Sequence, residues 1–131
     1  EDDFGFSEEK AGQNLAVLAE SLFLINLLLL PGLAFAGLFA LWLKNKDSAP
    51  PLARQHLRQT TFVSLVGGFL IVTLSGLILA LGGLDWAWTW VVLVLYFTCI
   101  HSTLVLFGMY GLIKAMSGQV WRFPLIGPPL E

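Results

Sequence analysis

Charge is what this chain has least of. Asp, Glu, Lys and Arg make up 12% of its 131 residues, against 56% hydrophobic types and a mean hydropathy of +0.78. Soluble domains carry about 25% charged residues, so too little charge is present to cover a water-facing surface. Cysteine is nearly missing as well. The single Cys99 excludes an intrachain disulfide, a C-x-x-C redox pair and a c-type haem attachment site. No basic excess exists either: a net charge of −2 argues against a general nucleic-acid surface. The first residues are acidic where a signal peptide's n-region would be basic, so no signal-peptide pattern is expected. P-loop, H-E-x-x-H, Ser–His–Asp and clustered metal-ligand patterns are all absent. The sequence therefore assigns no catalytic residue, no metal ligand and no cofactor.

What remains is apolar length. After a polar, acidic segment (residues 1–13, with Ser7, Glu8 and Glu9 as a helix start), Leu15–Leu43 is apolar except at Glu20, Asn26 and Pro31-Gly32. As one helix it would span about 44 Å, against a bilayer core of about 30 Å. Two readings stay open on the residues alone. One is a single span over Ser21–Leu43 kinked at Pro31, with Glu20 at the interface or paired with a basic group. The other is two short helices turning at Pro31-Gly32, where backbone at membrane depth must be shielded by protein. Thr60–Leu81 is the cleanest span, about 33 Å long. Gly82–Asp85 makes a turn, and Trp86, Trp88 and Trp90 read as an aromatic belt opening the last span, Trp86–Ile113. The expected fold is an all-α integral membrane bundle of three to four hydrophobic segments over residues 14–116. Residues 117–131 form a Pro/Gly-rich tail.

The sequence reads as organised around Pro50–Thr61. Pro50-Pro51 suits a helix start, where a missing N–H costs nothing, and Asp47 and Ser48 are candidate caps. Lys44, Lys46, Arg54 and Arg58 put this stretch in the cytoplasm by the positive-inside rule, as Lys114 and Arg122 do for the tail. The plainest role for Arg54, His56, Arg58 and Gln59, joined by Trp121 and Arg122, is contact with anionic headgroups at about 1 kcal/mol per basic residue. A sharper role is docking a partner's carboxylates, which an Arg fork binds bidentately. Trp121 and Phe123 are expected in the headgroup layer.

Small residues suggest helix packing. Ser64, Gly68, Gly76 and Ala80 share one face of the middle span, and Gly108, Gly111 and Ala115 share one on the last. Glu20, Asn26 and His101 are the polar groups inside the apolar segments, and such groups are functional candidates by default. His101 with His56 as axial ligands of one haem is excluded by depth, since about 20 Å of helix separates them along the membrane normal. Hydrogen bonding of His101 to a neighbouring helix is the expected role.

Two stretches carry a family resemblance. Ala53–Phe62, with His56-Leu57-Arg58-Gln59, resembles an H-x-[KR]-Q pattern leading into a span. Ala115-Met116-Ser117-Gly118-Gln119-Val120-Trp121-Arg122-Phe123-Pro124 resembles an A-x-x-G-x-x-[YW]-[RK]-[YF]-P ending. Together, over roughly residues 11–126, they resemble an uncharacterised bacterial membrane family related to the channel-like subunit of the chloroplast inner-envelope (Tic) import translocon. That resemblance implies four hydrophobic helical segments with both ends cytoplasmic, favouring the turn at Pro31-Gly32, and implies no reaction. The function expected is a non-enzymatic accessory or scaffold subunit of a larger bacterial inner-membrane complex, in contact with lipid. A translocation or transport component is the alternative, and a haem- or quinone-holding electron-transfer subunit the third.

Overall fold

Pro31-Gly32 decides the first half of the fold. The chain reverses there, and the computed structural model, which describes residues 12–124 together with Gly127 and Pro128, contains four helices. They are α1 Gln13–Leu28, α2 Leu33–Asn45, α3 Pro51–Gly82 and α4 Ala87–Met116. Among the described residues there is no strand. The Ser7-Glu8-Glu9 helix start and most of the tail beyond Pro124 lie outside the described residues.

The turn between α1 and α2 is held by Asn26. Its Oδ1 accepts the N–H of Gly32 at 2.8 Å and that of Phe35 at 3.2 Å, so α2 is capped from the preceding helix. Gly32 has φ 87°, in the left-handed region that a side chain disfavours. The single kinked span is therefore replaced by a hairpin of helices about 24 Å and 20 Å long, each too short for a bilayer core of about 30 Å.

α3 and α4 are different. Both are long and apolar enough to cross a membrane, and only 11% of the most apolar stretch of each is buried. A core helix of a soluble protein is mostly covered; here Phe69, Val72, Leu81 and Leu95 face outward. Leu81 is 80% exposed. Helices apolar on their outer surface are stable in lipid. The basic helix start runs without a break into the middle span. Asp47 and Ser48 do not cap it: Pro50 takes the cap position in extended backbone, with no side-chain cap bond.

One end gathers the chain. Gln13 Nε2 donates to the Met116 carbonyl (2.6 Å), tying the start of α1 to the end of α4. Ala19, Leu38, Ala49, Ala53 and Leu57 pack together at this end, and Phe23, Val63, Leu104 and Phe123 form a second cluster deeper in. Glycines admit the closest approaches. Gly108 lies against Phe23 and Leu24, and Gly67 against Leu104.

The small-residue stripe on α3 needs correcting. Gly68 and Gly76 face open space and Ala80 is exposed, while Ser64 is half-buried. α4 crosses α3 one residue away, at Gly67, because packing follows where the partner helix lies and not the cleanest i, i+4 pattern.

Replacing Gly32 by Ala should destabilise the protein by about 1 kcal/mol or more, because the φ is wrong for a side chain. Gly37→Ala, in α2 with open space around it, should be neutral or stabilising by up to about 1 kcal/mol. Thermal unfolding in mild detergent separates the two, and equal effects would contradict the turn described here.

Candidate functional site

The most polar buried place in the protein lies where α3 begins. Gln55, His56, Gln59, Thr60 and Thr61 are buried there, and Glu20 of α1 reaches them from the side. His56 sits between two partners. Its Nε2 is 2.8 Å from the Gln119 carbonyl oxygen, which only accepts, so Nε2 carries a hydrogen and donates. Its Nδ1 is 2.5 Å from Glu20 Oε2. Two bare lone pairs would repel at that distance, so one proton lies on this line. The pair is neutral overall, either as imidazolium with carboxylate or as imidazole with carboxylic acid.

The neighbouring glutamines hold the same strip of chain. Gln55 Nε2 donates to the Trp121 carbonyl (2.8 Å) and its Oε1 accepts the Trp121 N–H (3.3 Å). Gln59 Oε1 accepts the Phe123 N–H at 2.7 Å. Residues 119, 121 and 123 are thus bonded in alternation. Alternate residues of an extended segment present backbone groups on one side, and the first three turns of α3 supply side chains to meet them. Phe123 then inserts, wholly buried, with its ring edge-on to Phe23 at 5.7 Å. Trp121 packs against Phe107 and Tyr110. α4 accommodates the cluster through Gly111, where a Cβ would stand 2.6 Å from Glu20 Oε1.

Several expectations change here. His56 and Gln59 do not face headgroups or a partner; both are wholly buried, because the extended tail needs its backbone groups satisfied away from water. Of the two roles expected for Glu20, the one seen is pairing with a basic group: it bonds His56 inside the bundle and does not lie at the interface. Phe123 is core rather than a headgroup anchor. Arg54 and Arg58 are half-buried, Arg54 Nη1 reaching the Ala49 carbonyl at 3.4 Å, while Arg122 is exposed and donates to the Gly127 carbonyl. Gln55 and Gly67 carry contacts that no sequence motif singled out.

Asn26 and His101 both line a cavity at the other end of the hairpin. His101 Nε2 donates to the Leu27 carbonyl (2.8 Å), one of the acceptors that the end of α1 leaves open. Its ring stacks on Phe97. Beside it an open cavity of about 570 Å³ lies under the hairpin tip, lined by Phe23, Leu27, Phe35, Ser64, Phe97 and His101 among others. Among the described residues, no three of His, Cys, Asp and Glu lie close enough to hold a metal ion.

A helical membrane protein with a buried acid–base pair that fastens its own tail is the class these features define. Residues 11–130 match the model of the MamF/MmsF family, described as the magnetosome magnetite crystal formation protein family, and the chain belongs to that family. The match overturns the likeness to a family related to the Tic import translocon: over residues 11–130 the chain matches this family instead. No curated protein and no solved structure matches the chain.

Glu20→Ala and His56→Ala should each lower stability by about 3–5 kcal/mol, since either leaves a buried polar group without its partner. Glu20→Gln should cost far less. A Gln amide still donates to Nδ1 of a neutral His56, whose Nε2 keeps its bond to Gln119. Hydrogen exchange at residues 119–123 reports the tail directly, and exchange unchanged in His56→Ala would refute the lock.

Proposed function

We propose that this chain serves magnetite crystal formation as a non-enzymatic, multi-pass accessory subunit of a larger membrane complex. The family assignment supplies the process. One observation carries the non-enzymatic reading: both ring nitrogens of His56 are committed to fold contacts, one to Glu20 and one to the Gln119 carbonyl. The buried acid–base pair thus offers no free ring nitrogen to a substrate. His101 likewise spends Nε2 on the Leu27 carbonyl. The transport alternative loses its support along with the import-channel resemblance.

Orientation follows from charge. Lys44, Lys46, Arg54, Arg58, Lys114 and Arg122 all lie in or beside the end where α1 and α3 start and α2 and α4 finish. That end faces the cytoplasm from the inner membrane by the positive-inside rule. The turn after Gly82 lies on the opposite side. The exposed Lys44 and Lys46, the latter over the Trp42 ring, meet anionic headgroups. Arg54 and Arg58, nearer the bundle, are the residues through which an acidic partner surface is met.

The test begins in a magnetite-forming host lacking the gene, where crystal dimensions seen by electron microscopy should change and be restored by the wild-type chain. Unchanged crystals would remove the proposed role. For the partner contact, Arg54→Gln with Arg58→Gln should insert normally yet leave the native complex at lower salt. A pair buried against carboxylates is worth several kcal/mol, whereas rim charges give about 0–1 kcal/mol each. Retention equal to wild type at all salt concentrations would rule out docking through these arginines.

A further inference from the structure

The cross-section of this protein is not the same at its two ends. All buried residues of α3 lie between Ala53 and Gly67, and those of α4 lie at Leu104 or beyond, Thr89 excepted. The reason is the length of the hairpin. His101 bonds the end of α1 from a position fifteen residues before Met116, the end of α4. That places the hairpin tip about 22 Å from the gathered end, halfway along a helix of about 45 Å. Beyond that depth α3 and α4 continue as a pair. Their joint is made by Tyr96 Oη donating to the Leu70 carbonyl (2.6 Å) and by Thr89 against Gly82.

The hairpin tip is built for hydrocarbon. Leu28, Leu29, Leu30 and Leu33 are all at least half exposed. Much of the backbone around them bonds within the protein: Leu29 and Leu30 N–H bond the Ile25 carbonyl, Leu30 accepts from Ala34, and Leu27 accepts from His101. Exposed apolar side chains over a bonded backbone are what a turn ending within lipid requires. The tip therefore stops near mid-membrane.

We propose that the protein is a molecular wedge that partitions to curved membrane, its preferred partner being a lipid surface whose cytoplasmic leaflet is convex. The proposal rests on the orientation given above. Four helices occupy one leaflet and two the other. With helices about 10 Å across, the hairpin adds roughly 160 Å² to the wide leaflet alone. A leaflet given extra area bends outward. The basic residues place the wide end in the cytoplasmic leaflet, so the wedge fits membrane that bulges into the cytoplasm.

The test uses the full chain in giant vesicles of phosphatidylcholine with a minority of phosphatidylglycerol, from which narrow tubes are drawn. In a Cys99→Ser background, Ser48→Cys lies at the wide end and Leu84→Cys at the narrow end. An impermeant fluorescent maleimide added outside marks only molecules with that end outward. Ser48-labelled molecules should be enriched several-fold on the tube relative to the vesicle body, and Leu84-labelled molecules depleted from it. Equal density on tube and body, or the same sign for both labels, overturns the wedge. So does a stable dimer through the far halves of α3 and α4, seen by cross-linking, because it would fill the narrow end. Labelling of both positions on the same molecules from outside would instead overturn the two-span topology, and the wedge with it. Thiol labelling in cells checks orientation separately: position 84 reached from the cytoplasm would reverse the direction of curvature assigned here.

Discussion

The polar contacts at the wide end of this protein centre on one proton held between Glu20 and His56. Helices in lipid gain little from burying apolar surface against each other, because the surrounding chains are equally apolar. Association then needs close packing and directed polar bonds. The Glu20–His56 contact joins α1 to α3, and the opposite nitrogen of the same ring joins α3 to the strip following α4. A single imidazole thereby fixes three parts of the chain. Either charge alone would be prohibitive in that setting, and the pair removes the difficulty by being neutral as a unit.

The tail explains why the site is so polar. An extended segment lying against a helix bundle has no ladder to satisfy its backbone. Gln55 acts as a substitute strand for Trp121, meeting both its N–H and its carbonyl, and Gln59 meets Phe123. Once the backbone is held, the aromatic side chains can pack: Phe123 against Phe23 and Phe107, Trp121 against Tyr110. Gly111 is small because the Glu20 carboxylate occupies the space a side chain would take. The two motifs, some sixty residues apart in the sequence, are two halves of one contact.

A second constraint shapes the other end. The hairpin of α1 and α2 cannot reach across the membrane, so its turn must be stable at depth. Asn26 and His101 supply that stability by bonding backbone at either side of the turn. Polar residues inside apolar segments are functional candidates by default. Here their work is to let backbone reverse direction in lipid, which gives the molecule its unequal ends.

The sequence by itself determined the class. Low charge and long apolar runs required lipid, Pro31-Gly32 marked a break, and the lysine and arginine clusters marked one end; these are local or compositional properties, readable without a partner. Its two motifs were legible as a linked pair, but the family they suggested is not the one the whole chain matches, since two short patterns carry less than the full length. Only the tertiary structure decided that the pattern's His56 and Gln59 turn inward. A basic, amide-rich helix start has the same composition whether it faces headgroups or a neighbouring backbone, and the difference lies in a segment more than sixty residues away. The packing face of α3 was misread for the same reason. An i, i+4 stripe shows where a helix could be approached, while the crossing at Gly67 is set by Leu104 on another helix. Long-range contacts choose among faces that the local pattern leaves equivalent.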